Sequence, residues 1–311
     1  MTIRMPGLWG LLWVLCLPFA RADEVPPFEL HEVGKGVWAA VSPSEGPAGS
    51  NAGFVIGSDS VLVVDTFQGT DAAEALLKAI RARTSLPVRY VVNTHYHLDH
   101  VAGNGVFQAA GAVILAQANV HRWEHSENLK FFGDQITPQQ RDAVAGYVLP
   151  SILYRDGIEL VLGDRKVVVR VLPGHTGGDS VVWVPDADVV FTGDMFWNHC
   201  LPNLIDADTL RQIESNQSFV KDYPSAAFVP GHGEVAKAAD VREFGDYLVR
   251  LRASIAAALG KGASGEGLHD RVLAELQASY GSWTYFDYFI GPNIAQTEQE
   301  LAGHKRRPPA P

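Results

Sequence analysis

The 311-residue chain carries 25 Lys and Arg against 35 Asp and Glu, a formal charge of −10 at pH 7. No basic run is interleaved with aromatics, so the composition argues against a nucleic-acid partner. Two cysteines, Cys16 and Cys200, are too few for a disulfide-stapled scaffold.

Residues 1–22 read as a secretory signal peptide. Arg4 gives a positive start, Leu8 to Leu17 is apolar, and Ala20-Arg21-Ala22 is a small-x-small cleavage site. The run is too short for a stable membrane span, and Leu15 before Cys16 disfavours a lipoprotein signal. Cleavage near Ala22 predicts a chain starting at Asp23, periplasmic or secreted. Losing Arg4 and Arg21 takes the formal charge from −10 to about −12. Only Cys200 then remains, so stability must rest on the core or on bound metal.

Paired strands are predicted over Gly36–Val41, Ala52–Gly57 and Ser60–Asp65, the last two as a hairpin around Gly57-Ser58-Asp59-Ser60. Asp65 closes the third run, where a carboxylate is a turn cap or a partner to a metal-binding histidine. Asp71–Arg83 has helical spacing (Ala72, Leu76, Leu77, Ile80), with Asp71 as N-cap. Val88–Val92 reads as a buried strand, and Ala112–Ala116 as another. Residues 118–150 read as irregular helix near the site. His121 and His125 lie one turn apart there, a spacing that can bind metal but reads first as an exposed polar face.

Between those two strands lies the cluster His95-Tyr96-His97-Leu98-Asp99-His100. Three imidazoles and a carboxylate in six positions would desolvate or repel one another unless a cation offsets the cost. A borderline cation such as zinc accepts both nitrogen and carboxylate oxygen. The strand end before the cluster is where α/β folds place their sites.

Strands are further predicted at Ile158–Leu162 and Lys166–Leu172, at Val181–Val184 and Val189–Thr192, and at Ala227–Val229. Helices are predicted over Asp208–Lys221 and Val241–Leu259, the latter burying Phe244, Leu248, Leu251 and Ile255. Tyr280–Phe289 is rich in aromatics that pack against the body or wall a pocket. Lys305–Pro311 reads as a disordered polar tail. His175, Asp194 and His232 each follow one of these strands and are flanked by glycine. With the cluster they make seven candidate ligands, enough for two four- to five-coordinate metals sharing a bridge.

The ordered set His95-x-His97-x-Asp99-His100, His175, Asp194 and His232 resembles the metallo-β-lactamase superfamily over roughly residues 35–235. The resemblance implies an α/β fold, an αββα sandwich, over residues 23–260, with 261–311 a helical and aromatic extension of the same domain. It implies two zinc ions, with iron or manganese as other occupants. His95, His97 and His175 would hold one ion, Asp99, His100 and His232 the other, and Asp194 would bridge. Asp65 matches the family's supporting strand-end aspartate. A bridging hydroxide would then attack a polarised carbonyl, with Asp99 orienting the nucleophile or passing its proton to the leaving group.

Within that family, dedicated β-lactamases lack a bridging aspartate. One subclass has a cysteine near the place of Asp194 and a lysine three residues on, where this chain has Trp197. Asp194 is similar to glyoxalase II and the lactonases. The expected activity is therefore hydrolysis of an ester, thioester or lactone, the partner being a small acyl substrate. β-Lactam hydrolysis is the alternative, followed by iron-dependent sulfur oxidation or metal binding without turnover. Cys200, lacking a base partner, reads as a buried thiol.

Overall fold

A computed structural model describes residues 26–306 and 308. The signal-peptide reading of residues 1–22 lies outside the described residues, as do 307 and 309–311. Among the described residues no helix is long and apolar enough to cross a membrane.

Seven strands form the first sheet in chain order: β1 (Glu29–Gly34), β2 (Val37–Val41), β3 (Ala52–Ile56), β4 (Val61–Val64), β5 (Val88–Val92), β6 (Val113–Gln117) and β7 (Ile152–Tyr154). β1 to β4 pair antiparallel, β4 to β7 parallel. The second sheet has β8 (Gly157–Leu162), β9 (Arg165–Val171), β10 (Ser180–Val184), β11 (Val189–Trp197) and β12 (Ala227–His232), in the order β12-β11-β10-β9-β8.

Three apolar clusters account for the layering. Val55, Leu62, Val64 and Leu115 from the first sheet meet Leu162, Val169, Val182 and Phe191 from the second, and all are buried. The other face of the first sheet packs on α1 (Thr70–Arg81) through Leu76 and Ile80, and on Phe107. Phe107 belongs to α3 (Asn104–Ala109), which follows the short α2 (Leu98–Val101). The outer face of the second sheet packs on α6 (Thr209–Asp222) and α7 (Ala238–Gly260) through Phe219, Phe244 and Leu248. Helices α8 (Gly265–Tyr280) and α9 (Phe286–Leu301) extend that cluster. Sheets hydrophobic on both faces need helices outside and each other inside, so the result is an αββα sandwich with a helical C-terminal extension.

Several boundaries differ from the sequence-based expectation. Gly69, not Asp71, occupies the N-cap of α1; Asp71 lies in its first turn, where a carboxylate still favours the helix dipole. β11 continues past Thr192 to Trp197, every residue of it buried, so Asp194 lies within a strand rather than after it. Residues 118–150 resolve into α4 (Ala118–Glu127), a 3₁₀ turn (Asn128–Phe132) and α5 (Pro138–Ala145). In the C-terminal segment, Lys305 Nζ donates to Leu204 O and Ala207 O, and Arg306 to both Glu127 oxygens.

Candidate metal centre

Strands β4, β5, β11 and β12 and the loop after β9 bring their C-terminal ends to one edge of the sandwich. Asp65, after β4, has a left-handed φ of 57°. That turn aims its carboxylate at the start of the cluster, where Thr94 donates from its amide at 2.8 Å and its hydroxyl at 2.7 Å. The second oxygen lies 2.9 Å from His100 Nδ1, which leaves His100 Nε2 facing the site.

The loop after β9 is organised by Asp179. Its carboxylate accepts from the amides of Gly174, His175, Thr176 and Gly177 and from the Thr176 hydroxyl, and so presents His175. A Cβ on Gly231 would stand 1.8 Å from Asp194 Oδ1. Only glycine lets β12 pass that close to the carboxylate.

All seven predicted residues converge. His95, His97, His175 and Asp194 form one group of donor atoms, and Asp99, His100 and His232 a second. Asp194 joins them. Its Oδ2 lies 3.3 Å from His175 Nε2 and 3.7 Å from His95 Nε2. Its Oδ1 lies 3.1 Å from His100 Nε2 and 3.6 Å from His232 Nε2. Asp99 Oδ2 closes the second group, 3.4 Å from His232 Nε2.

These donors fit a divalent metal. Among the described residues His95 Nε2, His100 Nε2, His232 Nε2 and Asp194 Oδ1 are buried with no hydrogen-bond partner, an expensive state that coordination relieves. Burial, then the neighbouring His100, holds His95 well below its ordinary pKa, and a neutral imidazole is the form that ligates. Burial works against the charge on Asp99, but His100 and His232 outweigh it and hold its pKa at about 2. Asp194 is likewise held well below the usual carboxylate range, with His100 the leading opponent of its burial.

Four supporting residues escaped the sequence reading. Asp206, in the loop before α6, is buried and accepts from His97 Nε2 at 3.0 Å and from Tyr96 Oη and Lys130 Nζ at 2.5 Å each. That bond fixes the His97 tautomer and frees Nδ1 for the site. Asn51 ties the two sheets beside His232, donating to Pro230 O and Gly233 O. Lone residues in loops carry no periodicity; the Thr-Gly-Gly-Asp run ending at Asp179 held the one local signal. His125 donates its ring to the Tyr147 carbonyl, 3.1 Å away, and neither it nor His121 joins the clusters. Cys200 is buried and free, and burial pushes its thiol up to about 11.

The metallo-β-lactamase superfamily model matches residues 46–243. The chain belongs to that superfamily. Among its relatives is the hydroxyacylglutathione hydrolase of Brucella anthropi, 29% identical over 184 residues, 58% of this chain and 61% of that protein. The acyl-coenzyme A thioesterase MBLAC2 of Bos taurus is 28% identical over 168 residues, 49% of this chain and 60% of that one. The chain thus spans about three fifths of the length of each of these two relatives. A solved metallo-β-lactamase from Pontibacter korlensis superposes with a TM-score of 0.58 at 22% identity, covering 71% of this chain and 99% of that one.

Proposed function

We propose that this protein is an exported dinuclear zinc hydrolase that cleaves an ester, thioester or lactone. The observation that carries the reading is Asp194, whose two oxygens each face one donor group. A carboxylate so placed suits two ions with a shared ligand, and the relatives named for thioester hydrolysis support the acyl class. Two zinc ions bound there would polarise the scissile carbonyl and lower the pKa of a water.

The chain's own residues do the rest. His95, His97 and His175 would hold one ion, Asp99, His100 and His232 the other. Asp206 keeps the proton of His97 on Nε2, and Asp65 keeps that of His100 on Nδ1. Asp99 is the most open of the seven, its side chain 23% exposed. In this reading Asp99 orients the nucleophile or passes its proton to the leaving group. Trp197 lies against His232, ring centroids 3.8 Å apart and planes tilted by 33°.

The test is turnover of a thioester, a lactone and a chromogenic cephalosporin by the zinc-loaded chain under one set of conditions. The thioester or lactone is expected to win by about a hundredfold in kcat/KM, roughly 2.7 kcal/mol of transition-state preference. Faster cephalosporin cleavage would overturn the acyl reading. Asp194→Ala is expected to lower metal content from two ions per chain and activity together; full occupancy in that variant would refute the bridge.

A further inference from the structure

The cleft above the metal centre holds a second kind of information. Its floor includes Asp99, Asp194 and His232, and its walls include the rings of Phe131, Trp197, Tyr285, Tyr288 and Phe289 with the amides of Gln68 and Asn203, around a space of about 370 Å³. The wall rings brace one another edge to face. Phe289 meets Tyr288 at 4.7 Å and 90°, Trp197 at 5.9 Å and 83°, and Tyr285 at 6.0 Å and 75°. Tyr285 is held in turn by a hydrogen bond from its hydroxyl to the Ser44 carbonyl. Interlocked rings of this kind form a preorganised apolar surface.

No lysine or arginine is found among the described residues lining that cleft. Lys130, beside Phe131 in sequence, is already bound: its Nζ is 2.5 Å from Asp206 and 3.7 Å from Glu127. Recognition of a distal carboxylate or phosphate asks for an arginine fork or a lysine charge. Gln68 and Asn203 offer only neutral amide donors, so an anion pressed against these rings would be desolvated without a charged partner. Apart from the ion-paired Lys130, whose Nζ lies 5.3 Å from the Phe131 ring centroid, positive charge would reside at the floor, where the scissile carbonyl goes.

We infer that the cleft selects an uncharged substrate with an aromatic or bulky apolar acyl group, and discriminates against acyl groups carried on anionic thiols. This rests on the hydrolase reading above. It separates the chain from relatives named for glutathione or coenzyme A thioesters, whose carriers bear carboxylates or phosphates.

Matched thioesters test it. S-Phenylacetyl-N-acetylcysteamine and S-phenylacetylglutathione share acyl group and scissile bond and differ in the charge of the carrier; S-acetyl-N-acetylcysteamine varies the acyl group alone. With the zinc-loaded full chain, the neutral phenylacetyl thioester is expected to exceed each of the other two at least tenfold in kcat/KM. Tyr288 is 73% exposed, so Tyr288→Lys can place a cation at the rim without disturbing the core. That variant is expected to narrow the glutathione deficit several-fold. Equal rates, or preference for the glutathione thioester, would overturn the inference while leaving hydrolysis intact. If neither these thioesters nor the lactone and cephalosporin turn over, the hydrolase reading fails, and calorimetric binding of the S-phenylethyl thioethers of N-acetylcysteamine and glutathione still decides the cleft. Tenfold tighter binding of the neutral thioether upholds the selectivity; equal, reversed or absent binding overturns it.

Discussion

Glu124 lies on α4 fully buried, and neither carboxylate oxygen has a hydrogen-bond partner among the described residues. Burial alone pushes its pKa up to about 9, so it is protonated in the folded chain at neutral pH. An unfolded chain releases that proton near pH 4.5, the group's ordinary value. Between those two values the unfolded state binds fewer protons than the folded state, so stability falls as pH rises. The slope from this group is about −1.4 kcal/mol per pH unit. Glu124→Gln keeps the shape and removes the titration. It is expected to raise the melting temperature at pH 8 while changing little at pH 4.5. A variant whose melting curves at pH 5 and pH 8 differ as much as those of the parent would refute this account.

At the scale of elements, α9 delivers Tyr288 and Phe289 to the cleft, and one buried amide pins it there. Asn293 accepts from Leu204 N at 3.3 Å and donates to Pro202 O at 2.9 Å and Tyr247 Oη at 3.1 Å. Asn293→Ala leaves backbone groups of the 202–204 loop unpaired inside the protein. The expected cost is about 2–4 kcal/mol, read as a lower denaturant midpoint with an unchanged slope. KM for an aromatic acyl substrate should rise more than kcat falls, because the wall shifts while the metal ligands stay. An unaltered midpoint would mean that apolar packing alone holds α9. The elements that the sequence reveals are those with a strong period or composition, such as Val88–Val92 and the amphipathic face of α1. β1 is partly exposed and polar, β7 has three residues, and both are edge strands; neither has the buried run that marks a central strand. β11 was legible only to Thr192 because Gly193-Asp194 has loop chemistry, yet burial from both sides keeps the chain extended to Trp197. The seven donors could be read because four crowd into six positions, His95 to His100, and the other three, His175, Asp194 and His232, are flanked by glycine after predicted strands. Asp206 and Lys130 could not, since their role depends on a contact between loops 76 residues apart in sequence.

For the whole molecule, the burden of the metal centre falls on folding. Asp65, Asp194 and Asp206 are buried with His95, His97, His100 and His175 in one small volume, in a chain already at −10. Without a cation the orphaned imidazole nitrogens and Asp194 Oδ1 stay desolvated, which costs stability. A ligand that binds only the folded state stabilises it by about 4 kcal/mol when present at a thousand times its Kd. At roughly 2–4 °C per kcal/mol for a chain of this size, stripping even one ion is expected to lower the melting temperature by about 10 °C. Zinc should restore it. Magnesium should not, because it prefers oxygen in octahedral geometry and this site offers mostly imidazole nitrogen. The check is thermal unfolding of the chain as purified, after chelation with metal loss verified by elemental analysis, and after each ion is returned. Equal melting temperatures with the metal demonstrably gone would mean that the seven residues are packed without need of a cation. A drop reversed by zinc alone would place that cation in the fold as well as in the chemistry.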